Sequence, residues 1–141
     1  LCHLDFALDD RSRAITNSDR NSDFLRAIEF LEKSHQYAAG KGEDLNIPLM
    51  LAIARIESFL AYRREASTVL LNKALSELKE AHMNGDPRSY VYEIAVNRLL
   101  HNNNDAKISY DQAVEKINTR YQDLPNLKDY WLQKAKQFRN L

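Results

Sequence analysis

Few side chains in this chain stand at spacings that chemistry uses. The four histidines, His3, His35, His82 and His101, are scattered and show no metal-ligand spacing. His101 and Asp105 are four apart, but the intervening Asn102-Asn103-Asn104 marks a turn, not one face of a helix. Cys2 is alone, which excludes an internal disulfide and a cysteine-based metal site. No serine sits in a nucleophile-elbow pattern. The only close glycines, Gly40 and Gly42, do not make a phosphate-cradling loop. Neither a metal nor a cofactor is expected.

One segment does suggest an enzyme. DLNIPLMLAIARIESFLAYRREAS, from Asp44 to Ser67, carries an apolar stretch that runs into Glu57-Ser58. It resembles the catalytic helix of lytic transglycosylases with a lysozyme-like fold, in which an apolar helix ends in Glu-Ser. The resemblance implies Glu57 as general acid/base on a glycosidic oxygen of peptidoglycan, buried so that it can donate a proton near neutral pH. The trailing Ala66-Ser67 fits the same pattern roughly. The family's Gly-Leu-Met-Gln stretch should follow, and the chain reads TVLLNKALSELK instead. Its Tyr-Asn motif and glycine-rich turns have no counterpart. Read from the residues alone, Glu57 is a surface carboxylate on an amphipathic helix near Arg55, and this reading is preferred.

The elements that would position such residues are helical. Three phrases repeat loosely: AIEFLEKSHQ from Ala27, LLNKALSELK from Leu70 and SYDQAVEKIN from Ser109. Each sets a small residue, Ser34, Ala74 or Ala113, within an apolar stripe, and these lie 40 and 39 positions apart. A near-constant period of this size points to stacked helix pairs. Only three glycines and three prolines occur in 141 residues, which favours helices because both break helix interiors. Twenty basic residues balance twenty acidic ones, so no long-range field selects nucleic acid or an anionic membrane. The longest apolar run, Ile47 to Ala54, is far short of the roughly 20 residues of a membrane span.

The periodicity predicts a possible short helix over 3–16 through Leu4, Leu8 and Ile15, then a linker, NSDRNS. A helix over 23–39 follows, with Phe24, Ala27, Ile28, Leu31 and Ser34 on one face, ending near Gly40-Lys41-Gly42. The next, 47–62, is capped by Asn46 and buries Leu49, Ile53, Ile56 and Phe59/Leu60. Its stripe fails at Arg63, Arg64 and Ser67, which predicts a break before a helix over 67–83 with Leu70, Leu71, Ala74, Leu75 and Leu78. Asp86-Pro87 opens a helix over 87–102 that buries Tyr92, Ala95, Val96 and Leu99. Asp105 caps 105–121, with Ile108, Ala113, Val114 and Ile117 inward. Asp123-Leu124-Pro125 opens a solvated terminal helix over 126–140 that turns Tyr130, Trp131, Ala135 and Phe138 to the core. Residues 1–22 form an N-terminal extension and 23–141 one helical domain.

LLNKAL and SYDQAV resemble the second helix of tetratricopeptide repeats, where a large residue precedes a small one by three: Leu31, Leu71 and Tyr110 here. The resemblance covers about 100 residues, against a family period of about 34. It implies an all-α fold of antiparallel helix pairs in a short right-handed array with a C-terminal capping helix. It also implies a protein- or peptide-binding scaffold without catalysis, in which first helices line the groove. On 47–62 and 87–102 the polar residues outside the expected core, Arg55, Tyr62, Asn97 and His101, are the candidate partner contacts. The clustered tyrosines suit core packing or a peptide groove, and Arg63-Arg64 and Lys134/Lys136/Arg139 suit solvated faces. A third alternative is an envelope lipoprotein that chaperones a secretion component, with Cys2 at a processed terminus. Leu1 is a poor fit to the small residue expected before a lipidated cysteine, so a free thiol and a soluble, cytoplasmic chain are favoured.

Overall fold

The computed structural model of the protein describes residues 17–38, 47–61 and 68–141. The candidate helix over 3–16, Cys2, the Asn46 cap, the Gly40-Lys41-Gly42 stop and the break at 63–67 lie outside the described residues. The rest is helical: α1 (Asn17–Ala38), α2 (Ile47–Ala61), α3 (Thr68–Ala81), a 3-10 turn (His82–Asn84), α4 (Pro87–Leu99), α5 (Asn103–Arg120) and α6 (Pro125–Arg139). No strand occurs among the described residues, and no helix there is long and apolar enough to cross a membrane.

α2 packs against α1, α3 and α4, and α4 packs in turn against α3, α5 and α6. The helices α2, α4 and α6 therefore form a row, with α3 against the first two and α5 against the last two. Being central, α2 and α4 bury residues on nearly every side, including the runs Leu51–Glu57 and Ile94–Asn97. That is how a helix surrounded by others must read. The main core joins Leu49, Ile53 and Ile56 of α2 to Leu71, Ala74 and Leu78 of α3. It continues through Val91, Ile94 and Val96 of α4, Ala113 and Ile117 of α5, and Ala135 and Phe138 of α6. A second, smaller cluster of Ala27, Leu31, Ile47, Leu51 and Ala54 holds α1 to α2.

The α3–α4 junction is set by local chemistry. Gly85 adopts φ +67 and its amide donates to the His82 carbonyl at 3.0 Å. A side chain there would meet no neighbour but would strain the backbone. Asp86 caps α4 as expected: its Oδ1 accepts from the Arg88 amide at 3.0 Å, and Pro87 fills the first helical position. The Arg88 guanidinium also bonds both Asp86 oxygens. Burial of Asp86 opposes its ionisation, but these bonds and the charges of Arg88 and Arg120 outweigh it and hold the carboxyl below its usual range. Asp86→Ala should cost about 1 kcal/mol, measured by urea denaturation. A carboxyl depressed in the folded state adds stability that is complete above its unfolded value of ~3.9 and is lost as pH falls through the lower folded value. Asp86→Asn should therefore flatten the decline in urea midpoint below about pH 5.

Three expectations need correction. NSDRNS is not a linker: α1 already begins at Asn17 and runs across the expected boundary at residue 22. The segment has no apolar periodicity, so only propagation from the following turns extends the helix through it. α5 starts at Asn103 with Asn102 as its cap, and no side chain makes the capping bond. Asp105 lies inside the first turn instead, near the positive end of the helix dipole. The inward face of α5 is Ala106, Ser109, Ala113 and Ile117, and Ile108 is exposed. Hydropathy favours Ile108, but close approach to α4 selects the face lined with small residues.

Candidate functional site

α2, α4 and α6 each send one polar side chain inward to a common point. Glu57, on the last full turn of α2, has its side chain entirely enclosed. Its Oε1 accepts a 3.0 Å hydrogen bond from the Tyr92 hydroxyl on α4 and lies 3.5 Å from Lys134 Nζ on α6. The Tyr92 ring packs on Trp131 and Phe138, and Lys134 also lies 5.3 Å from the Phe138 ring centre. The expectation of a surface glutamate is overturned. The carboxylate is buried because a cation and a phenol from two other helices offset its lost hydration. Spacing along α2 could not reveal them, since they lie 35 and 77 positions away in the chain. Chemically, the arrangement holds a carboxylate in place and turns it away from solvent.

Arg55 is also inside, 6% exposed. Its Nε donates to Glu77 Oε1 of α3 at 2.8 Å, and its Nη2 donates to Glu32 Oε1 of α1 at 2.8 Å and Glu77 Oε2 at 3.3 Å. Burial alone would lower its pKa, but bonds and charge from both carboxylates outweigh this and raise it. Asn97 is 3% exposed, and its amide donates to Ser109 Oγ of α5 at 3.2 Å. Both side chains are therefore core and not the solvent-facing groove residues expected, because each finds partners on a packed helix. Tyr62 lies outside the described residues.

His101 is exposed, and it is not helical. It adopts φ +63 just after Leu100, the C-terminal cap of α4. Its amide donates to the Arg98 carbonyl at 3.1 Å and the Asn102 amide to the Asn97 carbonyl at 2.8 Å. This is the paired-bond helix stop in which glycine usually occupies the left-handed position. His101→Gly should raise stability by up to about 1 kcal/mol, read as a higher urea midpoint. A fall in midpoint would show that the imidazole makes a stabilising contact.

A cluster that the sequence did not signal surrounds His82. Ser89 Oγ donates to the Asp86 carbonyl at 2.7 Å and lies 2.8 Å from His82 Nδ1. His82 Nε2 meets Glu93 Oε2, and the ring stacks on Tyr90 with centroids 4.0 Å apart. Ser89 is fully buried, so its hydroxyl braces the start of α4. No group of three or more His, Cys, Asp and Glu among the described residues is placed to hold a metal ion.

No protein-family model, curated protein or solved structure matches the chain. What it offers a ligand is therefore set by its own surface. On α6, Leu124, Leu127 and Tyr130 are 53%, 39% and 55% exposed. Leu127 and Tyr130 stand three apart on its first half, so they are surface neighbours, and Leu124 is the cap that precedes them. The half-buried Trp131 meets Tyr130 edge-on at 5.0 Å and joins this stripe to the core through Tyr92. Tyr130 was expected inside. It faces outward because Trp131, Ala135 and Phe138 occupy the core-facing side. The terminal helix is largely solvated, but part of its solvated side is apolar, and Lys134, expected on a solvated face, turns in to Glu57.

Proposed function

We propose that this chain is a helical scaffold that binds a protein or peptide partner, without catalysis, through the first half of α6. The carrying observation is the exposed Leu124, Leu127 and Tyr130 stripe backed by Trp131. Apolar and aromatic side chains gathered on one helix face are costly to leave in water, and they mark contact sites when they cluster. Tyrosine and tryptophan supply large contact areas with few rotatable bonds. The tetratricopeptide-like array belongs to the same proposal. It draws support from the row of α2, α4 and α6 and from Ala74 and Ala113, both fully buried in the helices that flank it. The enclosure of Glu57 favours a structural role, since a general acid must come within hydrogen-bond reach of its substrate.

The test is affinity capture from native lysate with wild type, Leu127→Asp and Tyr130→Asp, with quantitative mass spectrometry. Both variants should keep the wild-type urea midpoint within about 0.5 kcal/mol, since both sites are surface sites. A specific partner should be captured by wild type and depleted at least tenfold with either variant, the loss expected when a central contact worth about 1.4 kcal/mol or more is removed. Equal capture by all three chains would remove α6 from the binding surface.

A further inference from the structure

The α1 helix sits on the rest of the molecule in a way that no other described helix does. Its buried contacts form a cluster of their own: Ala27 and Leu31 meet Ile47, Leu51 and Ala54 of α2, with Ile28 and Met50 at the edge. The remaining described helices share the main core, whose buried members include no α1 residue. Across α1, Leu25 and Phe30 are more than half exposed. Among the described residues, Arg55 Nη2 ties it to α2 through a bond to Glu32, a carboxylate 47% exposed.

Removing α1 leaves the seat in order. Arg55 keeps both of its bonds to Glu77, so its own charge stays paired, and Glu32 returns to water readily. The walls of the seat, Ile47, Leu51 and Ala54, are on α2, whose other sides are fixed by α3 and α4. The seat therefore selects a definite chemistry: a helix with a small residue, a leucine four positions on, and a carboxylate next. α1 itself supplies it as Ala27, Leu31 and Glu32.

We propose that this seat exchanges helices between copies of the chain, the α1 of a second copy replacing the resident one. Resident α1 acts as an intramolecular competitor. The apparent affinity for an incoming helix is then the seat's own affinity reduced by the small fraction of molecules whose α1 has left. This site is separate from the α6 stripe, and neither proposal depends on the other.

The experiment titrates a fluorescein-labelled peptide of residues 17–38 with the full chain and reads anisotropy. Leu31→Ala in the full chain loosens its own α1 and leaves every seat residue intact. It should bind the peptide at least about tenfold more tightly than wild type, given the usual cost of a buried Leu→Ala. A peptide carrying Leu31→Ala should bind that chain at least about tenfold more weakly. Glu32→Gln in the full chain, a half-exposed change that spares the core, should shift affinity in the same direction by a few-fold, about the worth of one hydrogen bond. The idea is overturned if neither loosened chain binds better than wild type, or if the altered peptide binds as well as the original.

Discussion

Arg55→Met is expected to destabilise the protein by about 3–5 kcal/mol, the cost of breaking a buried ion pair from one side. The substitution keeps the aliphatic length and removes the charge. Glu77 is 13% exposed and would be left without the guanidinium that it shares two bonds with. Glu32, 47% exposed, would be resolvated and contributes less. The cluster's net worth is a separate matter, because burying all three groups costs desolvation. The double variant Arg55→Met/Glu77→Leu should therefore recover most of the loss, which a purely additive pair could not do. Urea denaturation followed by circular dichroism measures both variants against wild type. A loss below about 1 kcal/mol in the single variant, the range of exposed pairs, would place Arg55 in solvent.

Ile56→Ala and Leu71→Ala should each cost about 2–5 kcal/mol, from lost apolar burial plus the cavity left behind. Ile56 is fully buried and Leu71 nearly so, on α2 and α3 of the same core. Both helices are held on several sides, so the cavity cannot close by moving one neighbour. The upper half of the range is expected at Ile56, because α2 packs on three other helices. A loss below about 0.5 kcal/mol, the surface range, would mean that the side chain is not enclosed.

Much of the fold could be read from residue types because helices announce themselves locally. Asp86-Pro87 marked the start of α4, and the stripes of α2 and α3 fell where their side chains are buried. The failed stripe at Arg63, Arg64 and Ser67 lies between α2 and α3, outside the described residues. Errors arose where hydropathy and contact disagree. Ile108 is apolar and exposed, and Ser109 is polar and buried, because α4 approaches α5 over small side chains.

The interior polar residues were the least legible. Arg55, Glu57 and Asn97 look like surface residues by type. Each is buried because its partner comes from a distant segment: Glu32 and Glu77, Tyr92 and Lys134, and Ser109. Nothing in a single sequence pairs them. One signal was available: Arg55 and Glu57 interrupt a stretch in which every neighbour from Leu51 to Ile56 is apolar. A helix apolar on all sides is surrounded, so charges within it must be paired. Of the α6 stripe only Tyr130 was read in the sequence, and it was expected inside; packing shows that Trp131, Ala135 and Phe138 fill that role.

The most direct measurement of the central claim is site-specific photo-crosslinking in native cells. A benzoylphenylalanine placed at Tyr130 is compared with one at Asp111, an exposed position on α5 outside the stripe. The account predicts a discrete protein adduct from position 130, none from position 111, and loss of the 130 adduct when Leu127→Asp is added. The contrary result is a chain that yields no adduct at 130, or the same adduct at both positions.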